Sequence, residues 1–481
     1  MGLQESENIR VVVRVRPLTQ EERKRGDEEH ITCVSERSLQ VMDTKQVQAR
    51  QQTGTAFQFG RVFGPETTQD HLFANSGITS LLDHVLEGYS ATVFAYGPTG
   101  SGKTFSITGR PDSIVKHGSG DATDGIVIRA VEALYIKVRE VQRDGLQFKI
   151  RASCVEIYNE SVIDLLKFSR TSEGRSNLPV KFDTARGSFF VGDLSYGKCP
   201  SEEDLLRLYM KALRNRSVAS HEMNRDSSRS HAILTIYVDS MVQGEGGHIT
   251  TRHGKISFVD LAGSERLKDS HSQGSTLRET GSINKSIFTL GKVISSLCDR
   301  KKTKVPFRDS KLTQLLMDSI GGTSLTVMLA CVSPSSAHVS EALRTLNYAT
   351  SAKNIKNKPV VLLDPQQNMV EELRKEIQSL RVENKALRDA LLSGSVDEGS
   401  MRSSMHSTHQ SMNGGGGGAS QQRHASPMAG GHAVNGSRDS VLSLPSPKRP
   451  NGQYSPPDKS GRSRSVARSY DVGRSNGVGA S

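Results

Sequence analysis

The sequence predicts an α/β fold with a central, largely parallel β-sheet that is flanked by helices. Two observations support this prediction. Short runs of β-branched and aromatic residues alternate along the chain with longer segments whose apolar residues recur at helical spacing. In addition, 35% of the 481 residues are hydrophobic, which is enough to fill a sizeable core. Because helices connect successive parallel strands, we expect both faces of the sheet to be covered.

The expected elements follow one another along the first 300 residues. A β-branched strand over residues 9–15 ends before Pro17. The patterns then predict a strand at 57–63, a helix at 68–86, strands at 92–96, 148–158, 233–238 and 255–259, and a helix at 283–297. Most apolar residues of the last helix are expected to pack in the core.

The strand at residues 92–96 leads directly into a segment that fits the phosphate-binding pattern GxxxxGK[ST]. Its residues are Gly97, Pro98, Thr99, Gly100, Ser101, Gly102, Lys103 and Thr104. Small residues let backbone N–H groups close around a triphosphate, and the lysine reaches the outer phosphates. The Thr104 hydroxyl is placed to ligate Mg²⁺. The alternative is a chance match in a glycine-rich loop, which the strand before it and the helical stretch after it disfavour.

Two polar stretches lie where the ends of neighbouring strands would bring them to the nucleotide. One is NRDSSRSH at residues 224–231, and the other is DLAGSE at residues 260–265, which follows a hydrophobic strand. An acid at such a strand end holds Mg²⁺, usually through water, and a neighbouring glycine can offer its N–H to the γ-phosphate. Asp260 and Gly263 fit these two roles. Taken alone, either stretch is equally compatible with an ordinary cap or turn.

Several long motifs that occur in a fixed order resemble the kinesin motor domain. They are FAYGPTGSGKT around the phosphate loop, NxxSSRSH at 224–231, DLAGSE at 260–265, VRVRP at 13–17, VEIYNE at 155–160, INKS at 283–286 and VPFRDSKLTQLL at 305–316. The resemblance covers residues 8–358. It implies ATP and Mg²⁺ as ligands and microtubules as the partner. Among the subfamilies, the sequence looks most like kinesin-12.

The resemblance implies roles for individual residues. Arg14 and Pro17 look like the residues that line the adenine, and Arg229 and Glu265 look like an ion pair that closes when ATP is bound and helps to position the attacking water. The expected catalytic group is Arg229, Glu265, Ser228 and Gly263. The other expected nucleotide contacts are the phosphate loop, Asn224, Ser227 and Ser228, and the expected Mg²⁺ ligands are Thr104, Ser228 and, through water, Asp260.

A basic stretch follows the helix predicted at residues 283–297. A charge run of this kind is usually a solvated loop. In kinesins, however, the matching helix and loop form the face that meets acidic tubulin, and salt should weaken such contacts. The expected microtubule-binding residues are Lys285, Arg300, Lys301, Lys302, Lys304, Arg308 and Lys311.

Three positions depart from the family pattern. Pro98 replaces a usual glutamine and removes one backbone N–H at the mouth of the phosphate loop. Gly60 replaces a usual acid, and Ile128 replaces a usual proline. We expect nucleotide binding to survive, with altered kinetics.

The resemblance and the composition together divide the chain into four parts: a motor domain at residues 1–354, a neck linker at 355–364, a short coiled-coil helix at 365–392 and a disordered tail at 393–481. The helix begins with Asp364 and Pro365, an N-cap followed by a proline at the first helical position. Its apolar residues recur at alternating gaps of three and four and form a heptad seam of Val370, Leu373, Ile377, Leu380, Leu387 and Leu391. Asn384 occupies an a position of this seam, where a buried amide favours a two-stranded pairing, so homodimerisation through residues 370–391 is expected. The alternative is a single helix that lies on the motor domain.

Composition limits the remaining options. The tail is rich in serine, glycine and arginine and cannot bury enough apolar surface to fold alone. Ser426, Ser446 and Ser455 each precede a proline and are candidate phosphorylation sites; an unmodified linker is the alternative. The five cysteines show no metal-binding or disulfide spacing, and no run of apolar residues is long enough to span a membrane. These features predict an intracellular protein, and the resemblance implies the cytoplasm and the microtubule cytoskeleton as locations, with the spindle as one option.

Three functions fit the sequence to different degrees. The first is an ATP-driven microtubule motor, whose N-terminal motor domain generally goes with plus-end-directed movement in this superfamily. The second is a non-motile microtubule-binding or tip-regulating protein that uses the nucleotide as a switch. The third, nucleic-acid binding through the basic surface (net charge +12), has little support because no aromatic residues are interleaved with the charges, so DNA is not an expected partner.

Overall fold

The computed structural model describes residues 6–42, 54–110, 120–142, 146–167, 177–184, 186–222, 227–243, 249–265, 275–299, 304–363 and 365–392. Several predictions fall outside these residues. They concern Asn224, Arg300, Lys301, Lys302, Asp364 and the whole tail at 393–481.

The strands and helices of the described residues are numbered in chain order. The strands are β1 Glu7–Asn8, β2 Arg10–Val15, β3 Ile31–Ser35, β4 Ser38–Val41, β5 Thr55–Gln58, β6 Arg61–Phe63, β7 Ser90–Tyr96, β8 Gln147–Tyr158, β9 Ser161–Asp164, β10 Val180–Asp183, β11 Ser188–Val191, β12 Gly197–Lys198, β13 His231–Gln243, β14 Ile249–Asp260, β15 Ser324–Val332 and β16 Lys356–Asn357. The helices are α1 Gln20–Lys24, α2 Gln69–Asn75, α3 Ile78–Leu86, α4 Lys103–Ile107, α5 Ile126–Gln142, α6 Glu202–Glu222, α7 Ser275–Cys298, α8 Lys311–Leu315, α9 Val339–Ala352 and α10 Pro365–Leu392.

A central sheet runs in the order β12-β8-β13-β14-β7-β15-β2-β6, with β9 beside β8. The pairings of β7 with β14 and β15, and of β2 with β15 and β6, are parallel. The pairings that involve β8 or join β13 to β14 are antiparallel. The predicted α/β class is confirmed, and the phosphate loop follows β7 in the parallel half of the sheet, where the carboxyl ends of strands form ligand sites.

Both faces of the sheet are buried, because alternate residues of its central strands enter two separate cores. In β2, Val11, Val13 and Val15 pack on one side, and Val12 packs on the other. Apolar residues of α7, α8 and α9 complete the first core, and those of α3, α5 and α6 complete the second.

Two predicted elements are interrupted in the structure, each at a glycine. The strand expected at 57–63 divides into β5 and β6, which belong to different sheets, and the backbone of Gly60 between them donates to the Val11 carbonyl at 2.9 Å. The helix expected at 68–86 divides into α2 and α3 at Gly77, whose φ of +88° is not helical. Helix α7 and strands β13 and β14 are longer than predicted.

The segment that follows α9 lies along the core. Strand β16 pairs antiparallel with β1. Leu362 donates its backbone N–H to the Gly88 carbonyl (2.9 Å), and its carbonyl accepts the His253 N–H (2.7 Å). The buried side chain of Asn357 accepts from the Gly321 N–H at 2.8 Å. The same side chain also donates to the carbonyls of Ser319 and Ser324 at 3.0 and 2.6 Å.

Helix α10 begins at Pro365, as predicted, and keeps its apolar seam accessible. Leu373, Ile377, Leu380 and Leu387 are each about half exposed, and Asn384 is exposed. None of the helices in the described part of the chain combines the length and apolar composition of a membrane span.

Candidate functional site

The phosphate loop directly follows β7, and every residue of that strand is buried. The loop turns at Gly97, where a Cβ atom would lie 2.2 Å from the Cys331 carbonyl oxygen, so only glycine fits. The ammonium group of Lys103 donates to the Pro98 carbonyl at 2.9 Å. Burial lowers the pKa of Lys103, and the carboxylates of Asp260 and Glu265 act in the opposite direction. The lysine therefore lies at the loop, where it can exchange the Pro98 carbonyl for a phosphate oxygen.

Arg16 and Glu22 support the loop from the side, a role that the sequence analysis missed. The Arg16 guanidinium donates to the Gly100 carbonyl at 2.6 Å and binds both carboxylate oxygens of Glu22 at 2.6 and 2.7 Å. These bonds from Arg16 lower the pKa of Glu22 to about 2. Glu22 also completes a capping box with Thr19 at the start of α1. That Thr-x-x-Glu spacing is a signal that the sequence alone carries.

Two of the three side chains expected to hold Mg²⁺, those of Thr104 and Asp260, are in contact. The Thr104 hydroxyl donates to Asp260 Oδ2 at 2.9 Å. The second carboxylate oxygen of Asp260, Oδ1, is buried and has no hydrogen-bond partner in the described part of the chain. A buried acceptor of this kind fits a water molecule held by a cation, and hydroxyl and carboxylate oxygens are the donors that Mg²⁺ prefers. The residues present therefore fit the ion that the resemblance implies.

Asp260 is itself held by Arg216, a buried residue of α6 that the sequence analysis did not select. Arg216 Nη1 lies 3.1 Å from Asp260 Oδ2, and Nε lies 3.7 Å from Glu156 Oε1. Burial acts to lower the pKa of Arg216, but these two carboxylates outweigh it and the pKa is raised. Periodicity places Arg216 on the inner face of an amphipathic helix, which is the only sequence signal for this role.

The stretches at 227–231 and 260–265 contact each other, but Arg229 and Glu265 do not form the ion pair that is expected with ATP bound. Arg229 makes no ion pair with any residue that the structure describes, and Glu265 instead accepts the Thr99 N–H at 2.9 Å and the Thr99 hydroxyl at 2.6 Å. The carboxylate is thus satisfied by the phosphate loop. The N–H of Gly263, predicted to face the γ-phosphate, donates to the Ser228 carbonyl at 2.9 Å. Both predicted roles depend on a bound nucleotide and stay predictions; in this structure, local donors and acceptors occupy the groups concerned.

Arg14 and Pro17, the residues expected to line the adenine, differ in burial. Arg14 is buried, donates to Gln69 Oε1 at 2.8 Å and Ser106 Oγ at 2.9 Å, and has its guanidinium carbon 5.2 Å from the centre of the Phe105 ring. Pro17 is exposed. The arginine therefore braces α4, and its predicted contact with adenine stays a prediction.

The described members of the predicted microtubule face lie on α7 and around α8. Lys285, Lys304 and Arg308 are exposed, whereas Lys311 is partly buried and donates its backbone N–H to Glu160. The guanidinium carbon of Arg308 lies 5.8 Å from the centre of the Phe182 ring, on the hairpin of β10 and β11. This hairpin was not predicted to adjoin the basic residues.

Comparisons with known proteins agree on one family. Residues 14–355 match the family described as the kinesin motor domain. The chain is 38% identical over 379 residues to the chromosome-associated kinesin KIF4 of Mus musculus, covering 78% of this chain and 29% of that protein. It is 38% identical over 386 residues to the kinesin-like protein KIF12 of Mus musculus, covering 79% of this chain and 57% of that protein.

A solved structure described as that of a fast kinesin superposes with a TM-score of 0.66 at 35% identity. It covers 74% of this chain and 94% of the solved one. The chain thus spans less than two thirds of these curated relatives but nearly the whole of the solved motor structure.

Proposed function

The chain belongs to the kinesin motor family, and on that premise we propose that it is a microtubule-stimulated ATPase that moves along microtubules, with its movement directed to the plus end. The observation that supports this most strongly is the arrangement of Lys103, Thr104 and Asp260 around one loop, beside Ser228 and Gly263. The match to KIF12 is consistent with the predicted likeness to kinesin-12.

The family implies a nucleotide at this site, and we propose ATP with Mg²⁺. Thr104, Ser228 and Asp260 would hold the ion, which would neutralise charge on the phosphates. The chain's own residues do the rest. Lys103 binds the outer phosphates, and Arg216 fixes the carboxylate of Asp260. We propose that Glu265 leaves Thr99 for Arg229 when the γ-phosphate is present, which would orient water for attack only in that state.

We propose the division of the chain into four parts that the sequence predicts. The motor would comprise residues 1–354, the linker 355–364, a pairing helix 365–392 and the tail 393–481. The bonds of Leu362 and Asn357 to the core support a linker that docks on the motor. The accessible apolar seam of α10 supports a homodimer.

ATP hydrolysis with and without polymerised tubulin tests the proposed activity, and gliding of polarity-marked microtubules tests motility and direction together. We expect tubulin to raise the turnover rate at least tenfold, and we expect gliding with the minus end leading. An ATP hydrolysis rate that polymerised tubulin does not change would contradict the proposal. Stimulated hydrolysis without gliding would instead support the non-motile alternative.

The predicted binding face is tested by neutralising two of its exposed cations. The double variant Lys304→Ala/Arg308→Ala should raise the microtubule concentration for half-maximal ATPase, and the difference from the wild type should shrink as salt is added, because exposed charges are screened within about 8 Å at physiological ionic strength. Arg139→Ala is the matched control, since Arg139 is exposed on α5, which packs on the other face of the sheet.

A further inference from the structure

His231 touches three separate parts of the molecule. It is the first residue of β13 and directly follows the stretch that carries Ser228 and Arg229. Its Nδ1 atom accepts the backbone N–H of Ala262 at 2.9 Å, and its Nε2 atom lies 2.7 Å from the hydroxyl oxygen of Ser286 on α7. Both His231 and Ser286 are buried. One imidazole ring therefore connects three segments: the start of β13, the DLAGSE segment at 260–265 and helix α7.

The two contacts determine which nitrogen of the His231 ring carries the proton. Because Nδ1 accepts a hydrogen bond, the proton of the neutral ring is on Nε2, which donates to Ser286. Burial, with the nearby cations Arg216 and Lys103, lowers the pKa of His231 to about 3. The ring is therefore neutral near pH 7, and both hydrogen bonds persist under working conditions.

This connection is direct, in contrast to the predicted pair of Arg229 and Glu265, which is open in this structure. Lys285, an exposed cation of the predicted microtubule face, immediately precedes Ser286 on α7. A shift of α7 by a partner would therefore pull on Ser286 and, through the ring, on Ala262. Ala262 adjoins Gly263, whose N–H is bonded to Ser228.

We propose that His231 is a positioning residue that transmits microtubule binding from Ser286 on α7 to residues 227–231 and 260–265, the two segments expected to contact the nucleotide. This inference rests on the proposed microtubule-stimulated ATPase. It assigns the coupling to a hydrogen-bonded side chain that contacts neither nucleotide nor microtubule. A broken contact should therefore lower the stimulated rate while nucleotide affinity and the rate without microtubules stay the same.

Ser286→Ala removes one end of the connection, and Ser295→Ala is the matched control, because Ser295 is exposed on the same helix. In the full chain, we expect Ser286→Ala to lower the microtubule-stimulated kcat about tenfold, as loss of one buried hydrogen-bond partner implies. The basal kcat, the affinity for a fluorescent ADP analogue and the microtubule concentration for half-maximal rate should stay within about twofold. Ser295→Ala should match the wild type.

His231→Asn tests the same connection from the other side, since its shorter side chain keeps an acceptor near the Ala262 N–H but cannot reach Ser286. We expect the same loss as in Ser286→Ala, and we expect the double variant to be no worse than either single one. Ser286→Cys, which keeps a weak hydrogen-bonding group and leaves less of a cavity, should lose less than Ser286→Ala and serves if that variant unfolds.

The outcomes separate this inference from the function on which it rests. If the wild type is stimulated and Ser286→Ala is stimulated equally, the coupling role is wrong and the proposed function stands. Equal losses of basal rate, nucleotide affinity and stimulated rate would show a merely structural contact and would also overturn the inference. A wild type that tubulin does not stimulate overturns both.

Discussion

Glu265 is bound at both carboxylate oxygens by Thr99, through the backbone N–H to one oxygen and the hydroxyl to the other. Thr99 belongs to the phosphate loop, so the residue expected to close onto Arg229 is instead held at the mouth of the nucleotide site. A Cβ atom on Gly263 would lie 2.2 Å from Glu265 Oε2, which leaves space for this arrangement only above a glycine. In this structure, Thr99 therefore competes with Arg229 for the carboxylate of Glu265.

Thr99→Ala should weaken that competitor. Because a hydrogen bond to a charged group contributes about 1.5–3 kcal/mol, its loss should favour the pair of Glu265 with Arg229 and raise the basal ATPase rate at least about tenfold at saturating ATP. Thr99→Ser, which keeps the hydroxyl, is the control. An unchanged or slower rate in Thr99→Ala would argue that the contact does not restrain the carboxylate.

Arg216→Met should destabilise the protein strongly. It would leave the buried carboxylates of Asp260 and Glu156 without their shared cation, and breaking a buried pair on one side costs about 3–5 kcal/mol. Urea unfolding measures the loss. Adding Glu156→Gln to the same chain should recover part of it, because the two residues belong to one network. Equal stability of Arg216→Met and wild type would contradict this role.

His231 should make stability depend on pH below neutrality. Its pKa in the folded chain is lowered from 6.5 to about 3, so the unfolded chain binds a proton that the folded chain does not. The resulting stabilisation is complete above pH 6.5 and is lost as pH falls towards 3. Between pH 6.5 and 5.5, the free energy of unfolding should fall by about 1 kcal/mol more in the wild type than in His231→Asn. Parallel curves in denaturant titrations would disprove the assignment.

Asn357→Ala should release the linker from the core. The amide makes hydrogen bonds to Gly321, Ser319 and Ser324, and each buried group left without its partner costs about 1–3 kcal/mol. We expect gliding to slow about tenfold while the stimulated ATPase stays within about threefold. Val360→Ala, at an exposed linker position, is the control and should glide like the wild type.

The sequence predicted those parts of the molecule that depend on local pattern. The buried run of β7, the glycine-rich loop and the helix beginning at Pro365 follow from residue type and spacing, and the structure has each of them. Strand β5 belongs to a separate three-stranded sheet and not to the central one. No pattern within residues 57–63 reveals this, because the sheet that a strand joins depends on partner strands elsewhere in the chain.

The predicted site residues divide in the same way. Each of Lys103, Thr104 and Asp260 could be picked from its motif, and they lie together because β7 and β14 are neighbouring parallel strands whose carboxyl ends meet at one edge of the sheet. Arg216 and His231 were missed, since their importance comes from contacts between elements far apart in sequence. The pairing of Glu265 also could not be foreseen, because Thr99 competes for it only when the fold brings the two loops together.

The antiparallel pairing of β1 with β16 places the first described residues of the chain against the start of the proposed linker. Glu7 faces Asn357, and Asn8 faces Lys356. An affinity tag or fluorescent protein fused just ahead of Glu7 would therefore emerge beside the segment whose docking is to be measured, and its bulk would bias that measurement. Labels for force or distance experiments belong after α10, where they leave this two-stranded ribbon untouched.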